Sequence, residues 1–180
     1  MSEYIVSLFD LAANNAGRFG PKAANQARLA HIGLPTPGGF CLSAEAYRAQ
    51  IKALDLSEVG QKAVSLDYIK ARQYISQIRV AMFETPIIDE VLDPLVQAYR
   101  DLVRDSSMLV AVRSSSLMED TEDSSFAGQF QTFLGIENEV DFLTAVRACW
   151  GALWSSRALR YMDSKDIEMT DMAMAVLVQP

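Results

Sequence analysis

The chain reads as an α+β domain, a mixed sheet with helices packed on it, spanning residues 1–180. Three observations predict this. Apolar residues recur every three or four positions in three long segments, which is helical spacing. Between them lie short runs rich in β-branched and apolar residues, such as "MLVAV", "QTFLGI" and "MAMAVLVQ", too short for helices. The two kinds of segment alternate irregularly, which favours α+β over a regular parallel repeat. With 180 residues, of which 50% are hydrophobic and 22% charged, the chain fits one domain with a real core.

The elements follow in order. "GRFGPKAANQARLAHIGLPTPGGF" opens with a glycine turn. Pro21 suits the first turn of a helix, where its missing N–H costs nothing, and Ala23, Ala27 and Ala30 then share one face. Gly33 is placed to close that helix. "LPTPGG" is a connector and "FCL" a short strand. Ser43 is a candidate N-cap for the next helix, with Glu45 favourable in its first turn. Tyr68, Ala71, Ile75, Ile78 and Met82 form the apolar stripe of an amphipathic helix. Thr85-Pro86 predicts a cap and a first helical residue. Ile88, Val91, Leu95, Ala98 and Leu102 carry that helix, with Pro94 a candidate kink. Met108–Val112 reads as a buried strand and Gln131–Ile136 as another. Phe142, Val146, Cys149, Trp150 and Leu153 predict a further helix, and "MAMAVLVQ" a last strand.

The totals exclude several function classes. A net charge of -7 argues against nucleic acid as a partner, because phosphate backbones call for a basic face. A local anion site stays open, since a few placed cations and amides suffice. Cys41 and Cys149 lie far apart, no CxxC spacing occurs, and His31 is the only histidine, so a structural zinc site is not expected. Two buried free thiols are the expectation. The start "MSEYIVSLFD" lacks a basic region and a long apolar core, and no apolar run reaches membrane-spanning length, so a cytoplasmic protein without a membrane partner is expected. "MAVLVQP" ends the sequence in a strand-like run, where polar or frayed residues are commoner. That predicts the front part of a longer polypeptide; a natural edge strand is the other reading.

Few residues carry chemistry. Arg113 is expected where the strand Met108–Val112 meets a loop of Ser114, Ser115 and Ser116. A guanidinium there can fork onto a carboxylate or phosphate, and small serines let backbone amides approach an anion. Equally, Arg113 could pair with Glu119, Asp120, Glu122 or Asp123 and order the loop. Gly128, in "SFAGQ", suits either a flap anchored by Phe126 or an ordinary hairpin turn. Lys22 falls in the first turn of a helix, where a lysine opposes the helix dipole unless an anion joins it; a solvated surface lysine is the plain alternative. Neither a P-loop nor a G-x-G-x-x-G pattern occurs. His31 reads as a capping or surface residue, and Trp150 and Trp154 as core.

Together these segments resemble a known family. "GPKAANQARLAHIGLPTPGGFCLSAEAY", "VAVRSSSLMEDTEDSSFAGQFQTFLGI", "VRACWGALWSSRALRYM" and "MAVLVQP" are similar, in order and spacing, to the nucleotide-binding domain of pyruvate phosphate dikinases and phosphoenolpyruvate synthases. Residues 51–107 are the least distinctive part. The resemblance implies an ATP-grasp fold, of which this chain is the N-terminal subdomain, and ATP with Mg2+ as ligands. It implies phosphate transfer from ATP to a histidine on a phosphohistidine domain of the same polypeptide, then to pyruvate. Lys22 and Arg113 match the two cations that hold the phosphates. Gly128 matches a backbone contact, Thr132 a position lining the same site, and Gln179 a glutamine near the adenine. The Glu119-Asp120 pair is expected to tie down its loop. The second subdomain, the phosphohistidine domain and the acceptor domain are not in the sequence, so the chain alone is expected to complete no reaction. Rifampin-type antibiotic phosphotransferases share this front domain and form an alternative, as does a non-catalytic nucleotide-binding module. Two departures from the family pattern stand out. "GPKAA" stiffens the turn before Lys22, and "SSSLMED" carries the bulkier Leu117 and Met118.

Overall fold

The computed structural model describes residues 3–104, 109–117, 120–121, 124–125, 131–155, 158 and 173–180. The chain enters through strand β1 (Ile5–Ser7) and a 3-10 turn over Leu11–Asn14, and then forms helix α1 (Ala16–His31). Strand β2 (Phe40–Leu42) leads into four helices: α2 (Ala44–Ala53), α3 (Ser57–Ser65), α4 (Tyr68–Glu84) and α5 (Asp89–Val103). Strand β3 (Val110–Ser116), a small hairpin of β4 (Asp120–Thr121) and β5 (Ser124–Ser125), and strand β6 (Thr132–Ile136) come next. Helix α6 (Glu139–Ala152) and strand β7 (Met174–Gln179) complete the described order. Among the described residues no helix is long and apolar enough to cross a membrane.

The main sheet has the order β1-β2-β7-β3-β6. All four of its pairings are antiparallel, which corrects the expected mixed sheet. Strand β7, last in sequence, is central and lies between β2 and β3. All six of its residues are buried, because α1 covers one face and α2 and α6 the other. That two-sided burial is why "MAVLVQ" reads as a continuous apolar run and not as an alternation.

The two faces hold two cores. The larger gathers Phe40, Ile78, Leu95, Val112, Phe142, Trp150, Trp154 and Val176 with the helices α2, α4, α5 and α6. Trp154 is buried there with its indole N–H donating to the Tyr47 hydroxyl at 2.8 Å. The smaller, under α1, holds Leu8, Phe19, Ala23, Ala27, Cys41 and Leu177. Alanines on this face of α1 let the helix approach the sheet closely. Both cysteines are buried and free.

Several local expectations hold. α1 closes at Gly33 (φ 79°), with Leu34 N–H bonded to the Leu29 carbonyl and Gly33 N–H to that of Ala30. Those two bonds form a Schellman cap, which requires a left-handed residue. His31 fastens the end of α1 to the preceding turn, bonding the Phe9 carbonyl through Nε2 and the Asn14 side chain through Nδ1. Others need correcting. Ser43 stands at the N-cap of α2, but its buried hydroxyl makes no cap bond. Thr85 ends α4 instead of starting α5, and α5 begins at Asp89. Pro94 lies inside α5 (Asp89–Val103), as the sequence placed it. The serines after Arg113 are not a loop, because β3 continues through Ser116.

Candidate functional site

The site begins at a break in α1. Gly20 takes φ 74° and ψ 160°, which interrupts the helix, and the helix resumes at Pro21. Pro21 is thus the first residue of the resumed helix, as its fixed φ and missing N–H favour. Gly20 has to be glycine on two counts. Its φ is one that side chains avoid, and a Cβ there would lie 2.3 Å from Ser115 Oγ and 2.5 Å from the Ser115 carbonyl oxygen. The backbone of α1 therefore rests directly on strand β3.

Lys22 follows immediately. Its Nζ donates to the Ser114 carbonyl at 2.8 Å, which carries its charge to β3. One residue on, the Ala23 N–H donates to Ser115 Oγ at 3.3 Å. Ser114 is tied the other way, towards β6: its N–H and its hydroxyl both donate to the Gln131 carbonyl, at 3.2 and 3.0 Å. Ser114, Ser115 and Ser116 are all buried. Their small size fits a strand on which helix backbone sits, which is why the polar run is not a surface loop.

Arg113 lies within β3, with Leu177 of β7 on one side and Thr132 of β6 on the other. Side chains alternate along a strand, so Arg113 and Ser115 share the face that α1 covers. Thr132, directly across from Arg113, is on the same face and exposed. Gln179 pairs with Ala111, two residues from Arg113, and so shares it too. Gln179 is buried, and its Nε2 donates to the Gly38 carbonyl at 3.4 Å. The structure thus brings Lys22, Arg113, Thr132 and Gln179 to one side of the sheet. Gly128 and Glu119 lie outside the described residues, as do Glu122 and Asp123; Asp120 enters only through the β4–β5 backbone pairing.

The electrostatics of this face turn on Arg113. Its Nε is buried and has no hydrogen-bond partner among the described residues. A buried donor left open costs more than a typical bond contributes, so the arrangement fits an anion that is to be received there. Phosphate oxygens suit a guanidinium and a nearby ammonium. Among the described residues no three His, Cys, Asp or Glu side chains gather where they could hold a metal ion, so none of them is assigned to Mg2+. A separate groove of about 500 Å3 runs between β1, β2 and α5, lined by residues such as Ser7, Phe40, Pro94 and Asp101. None of the four gathered residues lines it.

Sequence reasoning missed Gly20 and Ser115 as partners. The signal was present in the two small residues, one in "GRFGP" and one in "RSSS", but only the tertiary contact joins them.

The chain matches a family model described as pyruvate phosphate dikinase, AMP/ATP-binding domain, over residues 16–180. It is 36% identical to a phosphoenolpyruvate synthase of Aeropyrum pernix over 89% of this chain and 20% of that protein. It is 33% identical to a phosphoenolpyruvate synthase of Helicobacter pylori, over 98% of this chain and 23% of the relative. A probable phosphoenolpyruvate synthase of Methanothermobacter thermautotrophicus is 31% identical, over 99% of this chain and 27% of its own length. The chain therefore spans about a quarter or less of the curated relatives it matches.

Proposed function

From the premise that this chain belongs to the pyruvate phosphate dikinase AMP/ATP-binding domain family, we propose that it holds ATP for a phosphoenolpyruvate synthase-like phosphotransferase. Lys22 and Arg113 hold the phosphates of ATP. Thr132 adds a hydroxyl on the same face, Gln179 meets the adenine, and Gly128 supplies a backbone contact to the phosphates. Phosphate passes from ATP to a histidine on a phosphohistidine domain of the same polypeptide, and from there to pyruvate, in the cytoplasm. Mg2+ accompanies the ATP.

The physical case is that phosphoryl transfer needs positioning and charge neutralisation more than covalent chemistry from the protein. One cation bonded to a carbonyl of strand β3, and a second carried by that strand, suit that task. The observation that carries the reading is the buried Nε of Arg113, unpartnered among the described residues, next to the residue whose carbonyl holds Lys22. The family membership supports ATP as the anion.

The test is ATP-dependent formation of phosphoenolpyruvate from pyruvate by the full-length polypeptide, alongside transfer of label from radiolabelled ATP to the protein. Acid-labile labelling and product formation support the proposal. ATP binding and labelling without phosphoenolpyruvate would point to a different acceptor, and no ATP binding at all would overturn the site.

A further inference from the structure

We infer that Ser115 is a positioning residue for Lys22, acting as an N-cap supplied from a distant strand. The inference rests on the reading of Lys22 as a phosphate ligand. A helix that starts at Pro21 has Gly20 at its N-cap position, Lys22 second and Ala23 third. The N-cap side chain ordinarily accepts from the N–H of the second or third residue. Gly20 has no side chain to do so. Ser115 Oγ accepts from the Ala23 N–H instead, at 3.3 Å. It also stands 2.3 Å from where a Gly20 Cβ would be. The hydroxyl of β3 thus occupies the place of the missing local cap, and only a glycine leaves room for it.

The consequence falls on Lys22. Its backbone lies between Gly20 and Ala23, both fixed by Ser115, and its Nζ is bonded to the carbonyl of Ser114. Arg113 precedes those two serines in the same buried strand. The separation of the two cations is therefore set by three consecutive residues of β3, not by α1 alone. Ser115 is fully buried, so it does not itself meet ligand from solvent. Its contribution to nucleotide binding passes through Lys22.

The test is a double-mutant cycle on ATP affinity, measured by calorimetry on the full-length chain. Ser115→Ala should weaken ATP binding about tenfold, the scale of a lost N-cap. In a Lys22→Ala background the same substitution should change affinity by less than about twofold, because independent sites would be additive. An unchanged affinity in Ser115→Ala, or an equal loss in both backgrounds, overturns the inference while leaving the site intact. Lys22→Ala binding as tightly as the parent would instead remove the site reading and the inference with it. Hydrogen exchange of the Ala23 amide supplies the readout independent of ATP and should quicken in Ser115→Ala. Should that variant fail to fold, Ser115→Cys fills the space with a slightly larger group and a weaker acceptor, and is expected to shift affinity in the same direction.

Discussion

A half-buried arginine whose buried Nε meets no acceptor among the described residues is an expensive residue to keep in a strand. Desolvating a donor without a partner costs about 1–3 kcal/mol, and here a methionine of similar length would avoid that. Arg113→Met should therefore raise the melting temperature of the ligand-free protein while weakening ATP binding by a few kcal/mol, on the order of one lost charge-stabilising contact. Arg113→Lys keeps a charge but loses the fork, and its affinity should fall between the two. Thermal unfolding and calorimetry on the same samples check both arms. A variant that loses stability without ligand and keeps ATP affinity would mean that Arg113 is a structural residue. Glycine makes a parallel point at Gly39. Its φ is 108°, and a Cβ there would lie 2.0 Å from the Val178 carbonyl oxygen. The "PGG" connector thus lets β2 pass close beside the end of β7 that carries Gln179.

Elements join through side chains that neither helix pattern reveals. Thr85 reads in the sequence as a helix boundary, and it is one, at the end of α4 and not at the start of α5. It precedes a proline, which favours extended backbone, and it takes φ -87° and ψ 135° at the end of α4. The connector to α5 is then secured from α2. Buried Gln50 donates through Nε2 to the Pro86 carbonyl and accepts through Oε1 from the Ile88 N–H, both at 3.0 Å. Gln50→Ala should cost about 1–3 kcal/mol by orphaning both backbone groups. Gln50→Glu should cost less than Gln50→Ala only at low pH, where the protonated carboxyl can donate to the Pro86 carbonyl and accept from the Ile88 N–H; once ionised, it buries an unpaired charge against that carbonyl. Denaturant unfolding ranks them, and an unchanged midpoint in Gln50→Ala would show that water replaces the amide. This also marks what the sequence could convey. The stripes of α4, α5 and α6 were readable because burial on one face repeats at helical spacing. β1 and α3 were not, being only three and nine residues long. The serine half of β3 looked like a loop because its buried polar groups are satisfied by α1 and Gln131, partners far away in sequence.

At the scale of the whole molecule, the sheet is closed by its last strand. β7 pairs with β2, whose residues lie more than a hundred positions earlier, and with β3, so neither core is complete without it. Residues 16–180 of the family match run through every strand but β1. The site shares this dependence, since Arg113 and Gln179 reach one face only through the β3–β7 register. The two cysteines report on the two cores separately. Cys41 lies in the cluster under α1 and Cys149 in the cluster under α6. Burial pushes both thiols up to about 12, from an ordinary value of 9.0; at Cys149 the charge of Lys22 works weakly against this. Because the folded values are raised, their contribution to stability is full below the unfolded value and is lost as pH rises through the folded one. Stability should therefore hold to about pH 9 and decline towards pH 12. Near pH 8 both thiols should resist a thiol-reactive dye in the native protein and become reactive together, at the rate of global unfolding. If Cys41 were labelled well before Cys149, α1 would be lifting from the sheet on its own. The contact between the Gly20 turn and Ser115, which the cap on Lys22 requires, would then be transient and not built in.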